Sequence, residues 1–507
     1  MAQIVLATLN ARYGHASLAL RYLYANLAEL AERAEICEFT IAERPVDIVE
    51  SLLAGSPRIV GLGVYIWNAS QSLEVVRLLK AVAPEVVVVL GGPEVSHEPA
   101  EQEIVARADY LVAGEGETGF RELAEQLLAG RRPAQKVLTT PLPDVKTLAS
   151  PYAHYDGADI AHRFIYVEAS RGCPFSCEFC LSSLDQQVRT FPLENFLAEI
   201  ASLIGRGARN FKFIDRTFNL NIRTAERILR FFLERPESDL FLHFEMVPDR
   251  FPEALRALVA RFAPGAVQFE VGLQTFNREV AARIQRDYDV QQAEENLRYL
   301  REQTAVHIHA DLIAGLPGET LASFGEGFDR LLTLRPQEIQ VGILKRLRGT
   351  PISRHDQAYG VVFNASPPYE ILRNDLISFN DFQRIKRFAR LWDLVHNSGN
   401  FVHTAPLIWQ GQPAFAAFMT FADWCYEQIG QFVGIGLERL AQLLFRYLDS
   451  DAAAAAIEAD YQRKRRGRPT WLAGSTDGRR RVRRSQLGER QRRHTGNDAS
   501  DGPCSKA

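Results

Sequence analysis

Residues 168–182 read Glu168-Ala169-Ser170-Arg171-Gly172-Cys173-Pro174-Phe175-Ser176-Cys177-Glu178-Phe179-Cys180-Leu181-Ser182, placing three of the chain's six cysteines in a C-x3-C-x2-C spacing. The stretch follows an apolar run at Phe164, Ile165 and Val167, and its Gly, Pro and Ser residues let a short loop curl until three thiolates converge. Such clustering rarely serves packing. Structural zinc takes four protein ligands, often as two C-x2-C halves, and neither a second cysteine pair nor an H-x3-H accompanies this loop. Iron–sulfur clusters also take Cys thiolates, four for a fully protein-bound [4Fe–4S] cube. Three would leave one iron open to a substrate or cofactor.

On both sides of this loop, β-branched runs alternate with amphipathic stretches. Downstream, from Phe164 to about Ile352, strands are expected at FIYVEAS, NFKFID (210–215), LFLHFEMV (240–247), AVQFEVGLQT (266–275), HIHADLIAGLP (307–317) and EIQVGILK (338–345), with helices such as ENFLAEIASLI and AERILRFFLER between them. Six β/α units predict an open, partial (β/α)6 barrel over residues 164–365. Upstream, residues 1–145 carry the runs IVLATL (4–9), EICEFTI (35–41), IVGLGVYIW (59–67), VVVVLGG (86–92) and YLVAGEGE (110–117), with a helix expected from Ala16 to about Arg33. Continuous Val/Ile/Leu runs separated by helices predict an α/β, doubly wound, Rossmann-like parallel sheet covered on both faces. Such sheets bind ligands at the carboxyl ends of their strands, here Asn10 to His15, Tyr65 to Asn68, Gly91 to Glu94 and Gly114 to Glu117. Residues 146–163 lack periodicity and read as a linker, whereas 366–460 repeat apolar residues at three and four and read as a small helical domain. Its aromatic residues and Cys425 read as core.

At 507 residues the chain predicts two to four domains, and 46% hydrophobic with 24% charged residues is a globular composition. No run of about 18 apolar residues appears, so no membrane span is expected. The opening MAQIVLATLN lacks the basic region of a signal peptide and reads as a first strand. Cys37, Cys425 and Cys504 stand singly, which argues against a disulfide framework and for a reducing cytoplasm. Residues 461–507 hold 14 Lys and Arg against 4 Asp and Glu; this excess of +10 leaves −13 on residues 1–460 of a chain whose net charge is −3. The basic tail predicts disorder, and an acidic body is not the profile of a nucleic-acid enzyme. Arg clusters bind phosphate nonspecifically, but no aromatic stacking partner beyond Trp471 accompanies them.

The three-cysteine motif, with Phe179 ahead of its last cysteine, resembles that of the radical S-adenosylmethionine (SAM) enzymes. The resemblance implies that Cys173, Cys177 and Cys180 hold three irons of a [4Fe–4S] cluster and that SAM chelates the fourth. One electron would then cleave the S–C5′ bond to give methionine and a 5′-deoxyadenosyl radical, with a flavodoxin or ferredoxin as electron donor. Ahead of this core, the Leu90-Gly91-Gly92-Pro93 turn and YLVAGEGE resemble strand ends of the cobalamin-binding domain in cobalamin-dependent members. That implies a cobalamin site at Asn10, Tyr65, Gly91, Gly92, Gly114 and Glu115. The D-x-H-x-x-G loop that supplies an imidazole to cobalt in some cobalamin proteins is missing; His15 lies in the equivalent loop, where it reads as a turn or helix-start residue.

Barrel enzymes place chemistry at the C-terminal strand ends. Asp215 follows the second strand, where the family contacts the SAM amino group; the other reading is an N-cap before the helix near Ile222. Glu270 and Gln274 share a face of the fourth strand by alternation and resemble an E-x-G-x-Q element that helps hold SAM; a structural hydrogen-bond pair is the alternative. The segment Asp311 to Thr320 resembles a G-x-I-x-G-x-x-E element, apart from its first glycine, which implies that Ile313 and Gly315 lie at the adenine, with Gly318 also admitting close approach. Glu319 and Thr320 read as helix-start residues. His307 and His309 read as packed barrel histidines, and Lys345 and Arg346 as either a carboxylate contact or a solvated rim. The expected function is radical methyl transfer or rearrangement on a small molecule. The alternatives are a methylthiotransferase acting on RNA or protein, which would need N-terminal cluster cysteines where only Cys37 exists, and a noncatalytic cobalamin or redox sensor.

Overall fold

The computed structural model describes residues 2–467, 469, 471 and 472. The chain divides into two compact units. One runs to Arg216 and takes in Lys345–Arg354 and Phe363–Glu370; the other holds Thr217–Leu344, His355–Val362 and the chain from Ile371 on.

The first unit opens with strands β1 (Ile4–Asn10), β2 (Ala34–Thr40), β3 (Ile59–Gly63), β4 (Val87–Gly91), β5 (Tyr110–Ala113) and β6 (Val137–Thr139), all parallel in the order β2-β1-β3-β4-β5-β6. Every residue of β1 is buried, because both faces of the sheet are covered. Helices α1 (Leu18–Ala25) and α5 (Glu117–Leu128) pack Leu20, Phe120 and Leu123 on one face. Helices α2 (Pro45–Leu53), α3 (Ala69–Val82) and α4 (Glu103–Arg107) pack Ile48, Val75 and Ile104 on the other. The short strand β6 carries no sequence signal of its own.

Two expected boundaries move. The helix expected to Arg33 stops at α1, where the Asn26 amide bonds the Tyr22 carbonyl; a separate 3-10 turn, Ala28–Arg33, starts at Ala28 with φ +51°. Residues 146–163 are no bare linker. They hold a 3-10 turn at Tyr152–His154 and helix α6 (Gly157–His162), opened by a capping box of Asp156 and Asp159. Neither reaches two turns, too short for periodicity to reveal. Asp159 is buried and pairs with Arg21 of α1 at 2.5 Å.

Strand β7 (Ile165–Val167) leads into the cysteine loop, which is framed by the two-residue strands β8 (Ser170–Arg171) and β9 (Arg189–Thr190), paired antiparallel. Helix α7 (Leu193–Gly205) follows, then β10 (Asn210–Phe213), parallel to β7. The second unit continues the alternation with α8 (Ile222–Leu233), β11 (Phe241–Met246), α9 (Glu253–Val259), β12 (Val267–Gln274), α10 (Arg278–Arg283), α11 (Val290–Gln303), β13 (His307–Ala314), α12 (Leu321–Thr333) and β14 (Glu338–Ile343). Strands β11 to β14 are parallel neighbours in sequence order, so the β/α region supplies six parallel strands as expected.

The helical region follows as α13 (Phe379–Trp392), α14 (Ala414–Ile429), α15 (Leu437–Leu448) and α16 (Asp451–Arg463), with Phe388, Trp392, Phe418, Phe421 and Cys425 in its core. A π-helical turn, Asp393–Asn397, swings the Asn397 side chain onto the outer strand β14, where it accepts from the Ile339 N–H at 3.0 Å and donates to the Ile339 carbonyl at 2.9 Å. Helix α16 carries order past the expected boundary at 460: Ser450 caps it, alanines favour it and Ile457 anchors it. The tail expectation from residue 473 onward lies outside the described residues. No helix among the described residues is long and apolar enough to cross a membrane.

Candidate functional site

The cysteine loop is closed by backbone bonds. Cys173 N–H donates to the Asp185 carbonyl at 2.9 Å, and Cys180 N–H to the Cys177 carbonyl at 3.1 Å. Gly172 sits at φ +89°, and a Cβ there would collide with the Gln187 carbonyl, so the approach of β8 to β9 needs glycine. Cys177 is buried, Cys173 and Cys180 are partly exposed, and none of the three is in a disulfide. Among the described residues no three His, Cys, Asp or Glu side chains surround one point closely enough for a single metal ion. A cube places each thiolate on a different iron, and three soft donors without a fourth fit a cluster with one open iron.

Asp215 anchors this loop. It is 4% exposed, and its carboxylate accepts from the Ala169 N–H at 3.0 Å and the Ser170 hydroxyl at 2.6 Å. Burial raises its pKa to about 7 in spite of those bonds. It is not the N-cap of α8; Asn221 is.

A cavity of about 560 Å³ opens at the carboxyl ends of β3, β4 and β5. Tyr65, Gly91, Gly92, Gly114 and Glu115 line it, and Leu20, Val89 and Phe120 give it an apolar depth between α1 and α5. Leu181, Leu184 and Asp185, just past Cys180, form part of the same wall. At Gly114, with φ +86°, an added Cβ would meet nothing within 4 Å; at Gly92, with φ +104°, it would come 2.5 Å from the Val64 carbonyl. Gly92 therefore makes room for the Val64 backbone, whereas Gly114 keeps the edge of the apolar slot open, which fits a bulky, flat ligand such as a corrin.

Asn10 is not in that wall. Its amide donates to Glu38 at 3.0 Å and to the His15 carbonyl at 2.9 Å, so it ties the end of β1 to β2. His15 Nδ1 lies 2.5 Å from the Tyr166 hydroxyl, and burial lowers its pKa; it serves the β7 side. Glu115 reaches the cavity, but its carboxylate is engaged by Arg171 at 2.7 Å and by Arg189, and these arginines hold it below the usual carboxylate range although burial opposes them. Sequence reasoning passed over Arg171. It also pairs with Glu117 at 2.7 Å and Glu168 at 2.9 Å, and stacks 4.6 Å over the Tyr22 ring. The available signal was a lone Arg beside Gly172, with acids in both flanking segments.

In the second unit, Glu270 is paired with His243 at 2.8 Å. Gln274 follows a register shift between β12 and β13, takes φ +70°, and leaves its Oε1 buried without a hydrogen-bond partner. A strained residue with an orphaned acceptor fits a ligand carrying N–H donors, which SAM does. Ile313 is half-buried on β13. The two glycines of the following turn are not open to an adenine on their Cα faces: a Cβ at Gly315 would meet Phe382 at 2.9 Å and Ile371 at 3.0 Å, and one at Gly318 would meet Arg283 and Tyr359. Both accommodate protein. Glu319 is 2% exposed, accepts from Thr275 at 2.5 Å, and burial raises it to about 7. Thr320 caps α12. His307 meets Glu338 at 3.0 Å, and His309 meets Asp311 at 3.2 Å, so both are packed barrel histidines. Arg346 is held by Glu98 at 3.0 Å.

Comparison with known proteins accords with this arrangement. Residues 4–124 match the B12 binding domain, 167–331 the radical SAM superfamily, and 357–496 a family described as protein of unknown function (DUF4080). The chain is 28% identical over 373 residues to a 2-(S-pantetheinyl)-carbapenam-3-carboxylate methyltransferase of Streptantibioticus cattleyicolor, covering 64% of this chain and 52% of that protein. It is 27% identical over 266 residues to a tRNA-2-methylthio-N(6)-dimethylallyladenosine synthase of Ralstonia pickettii, covering 50% and 57%. The chain thus spans about half the length of these curated relatives. Among solved structures it is similar to the cobalamin-dependent SAM radical enzyme OxsB with aqua-cobalamin bound, at TM-score 0.60 and 14% identity, covering 97% of this chain and 84% of that one. The chain thus carries a match to the B12 binding domain ahead of a match to the radical SAM superfamily, the order in which its two parallel sheets follow each other.

Proposed function

We propose that the protein is a cobalamin-dependent radical SAM enzyme that transfers a methyl group to, or rearranges, a small molecule. The observation that carries this reading is the shared cavity, walled on one side by the glycine strand ends of the B12-binding sheet and on the other by residues directly after Cys180. Bound there, the cluster would supply an electron to SAM, and the corrin a methyl group or one-electron chemistry.

The chain's own residues would hold and shield these groups. Cys173, Cys177 and Cys180 are the cluster ligands, and Asp215 fixes the start of their loop through Ala169 and Ser170. In the second unit, Gln274 with its unpartnered Oε1 and Glu270, a carboxylate already oriented by His243, are acceptors suited to a ligand that carries N–H donors. Tyr65, Gly91, Gly92 and Gly114 edge the corrin site, and the apolar depth lined by Leu20 and Phe120 excludes water. Within this reading an external flavodoxin or ferredoxin reduces the cluster, and the protein works in the cytoplasm, where single cysteines stay reduced.

The methylthiotransferase reading draws on the tRNA-modifying relatives, but the N-terminal sheet offers Cys37 alone, half-buried on β2, for a second cluster. Anaerobic purification, cluster reconstitution and addition of hydroxocobalamin, followed by iron and cobalt analysis, test the proposal. About four irons and one retained cobalt per chain, with 5′-deoxyadenosine formed from SAM, are expected. Iron without cobalt would remove the cobalamin role, and about eight irons would favour the methylthiotransferase reading.

A further inference from the structure

The segment Lys345–Arg354 leaves β14 and belongs to the first unit, where it touches both loops that border the cavity. Its first contacts are with the loop after β4. Arg348 lies 3.2 Å from Glu94 and 2.9 Å from Glu98, and Arg346 lies 3.0 Å from Glu98. Tyr369 adds a hydroxyl donated to Glu94 at 2.5 Å. Glu94 is 5% exposed and is separated from the Gly91–Gly92 edge only by Pro93, so this clamp fixes the edge.

The segment's last residue, Arg354, pairs with Glu178, which stands between Cys177 and Cys180 and is fully buried. A carboxylate there would sit beside thiolates that already carry negative charge. Without a cation, burying it next to a cluster would be costly.

We infer that Lys345–Arg354 is a strap that sets the two cofactor loops, with Arg354 a positioning residue for the cluster through Glu178 and Arg348 a positioning residue for cobalamin through Glu94 and Glu98. The inference rests on the cofactor reading above. The strap's two ends should be separable, because the ion pairs they form share no residue.

The experiment compares full-length R354L, R354K, E178Q/R354L and R348L with the wild type after anaerobic reconstitution with iron, sulfide and hydroxocobalamin. Iron and cobalt per chain, the EPR spectrum of the reduced cluster with and without SAM, and the cluster midpoint potential are read. R354L should lower iron affinity roughly 10-fold with cobalt unchanged, and move the midpoint potential of the remaining cluster negative, since a cation beside the buried Glu178 is removed. R354K should restore iron, and E178Q/R354L should recover it by removing the carboxylate's negative charge together with the cation. That rescue separates charge compensation from damage to the fold. R348L should release cobalamin and keep iron. Wild-type iron and an unshifted potential in R354L, or E178Q/R354L as poor as R354L, would overturn the strap. A wild-type chain that takes up no iron would instead overturn the cofactor reading itself.

Discussion

His309 shows how much a single side chain of the barrel interior depends on its carboxylates. Burial alone would lower its pKa, but Asp311, Glu338 and Glu270 raise it to about 9, so the folded protein holds an imidazolium where an unfolded chain holds a largely neutral ring at neutral pH. Its contribution is fully present below about 6.5, the ordinary value, and is lost as pH rises through about 9. The expected outcome is a wild-type denaturation free energy that falls by on the order of 2 kcal/mol between those limits, with H309Q lacking that component. Denaturant titrations across pH check it, and equal slopes in both proteins would sink the assignment. At this scale the sequence was least legible. Asn10 and Tyr65 both lie at strand ends, yet one amide turns to Glu38 while the other side chain faces the cavity. Strand position is written in the pattern, but the direction of a side chain is set by neighbours far away in sequence.

Elements are held by a few contacts that repair what regular structure leaves open. As an outer strand, β14 would expose unpaired backbone, and Asn397 satisfies both polar groups of Ile339 from a π-helical turn. N397A should cost about 1–3 kcal/mol, because it strands a buried N–H and carbonyl; thermal melts read the loss, and N397D should recover part of it by restoring the acceptor. The cysteine hairpin depends in the same way on Gly172, whose backbone conformation and closeness to Gln187 exclude a side chain. G172A should cut reconstituted iron well below the wild-type value while leaving retained cobalt unchanged, and an unaltered iron count would mean that the hairpin does not shape the cluster loop. Most elements were legible because their patterns are long: the seven-residue run of β1 and the eight-residue strands β12 and β13 declare themselves. Strand β6, helix α6 and the π-helical turn were not, with 3, 6 and 5 residues each too short for a repeat to show, and defined by partners elsewhere.

Across the whole chain, domain order was readable from one motif and one kind of sheet, because C-x3-C-x2-C and glycine-ended parallel strands are both local signatures. The joining of the B12-binding sheet to the cysteine loop was not readable, since it runs through ion pairs between residues more than fifty positions apart. Arg171 is the centre of that joint, with Glu115 and Glu117 from the end of β5 and Glu168 from the approach to the cysteines around one guanidinium. Its side chain is 13% exposed, and those of Glu117 and Glu168 are each 6% exposed. Removing the cation therefore strands two carboxylates, Glu117 and Glu168, that water barely reaches, a change that costs about 3–5 kcal/mol where a buried pair is broken from one side. R171L should lose stability of that order near neutral pH and recover part of it in mild acid, where the stranded carboxylates take up protons. The direction of the Glu168 shift supports this: burial already raises its pKa with Arg171 in place, and the raise grows when the arginine's opposing charge is gone. Denaturant midpoints of wild type and R171L from neutral to mildly acidic pH decide the matter. A loss below about 1 kcal/mol, the range of a solvent-exposed pair, or a loss that does not shrink on acidification, would mean that the sheet and the cysteine loop are held together by apolar packing instead.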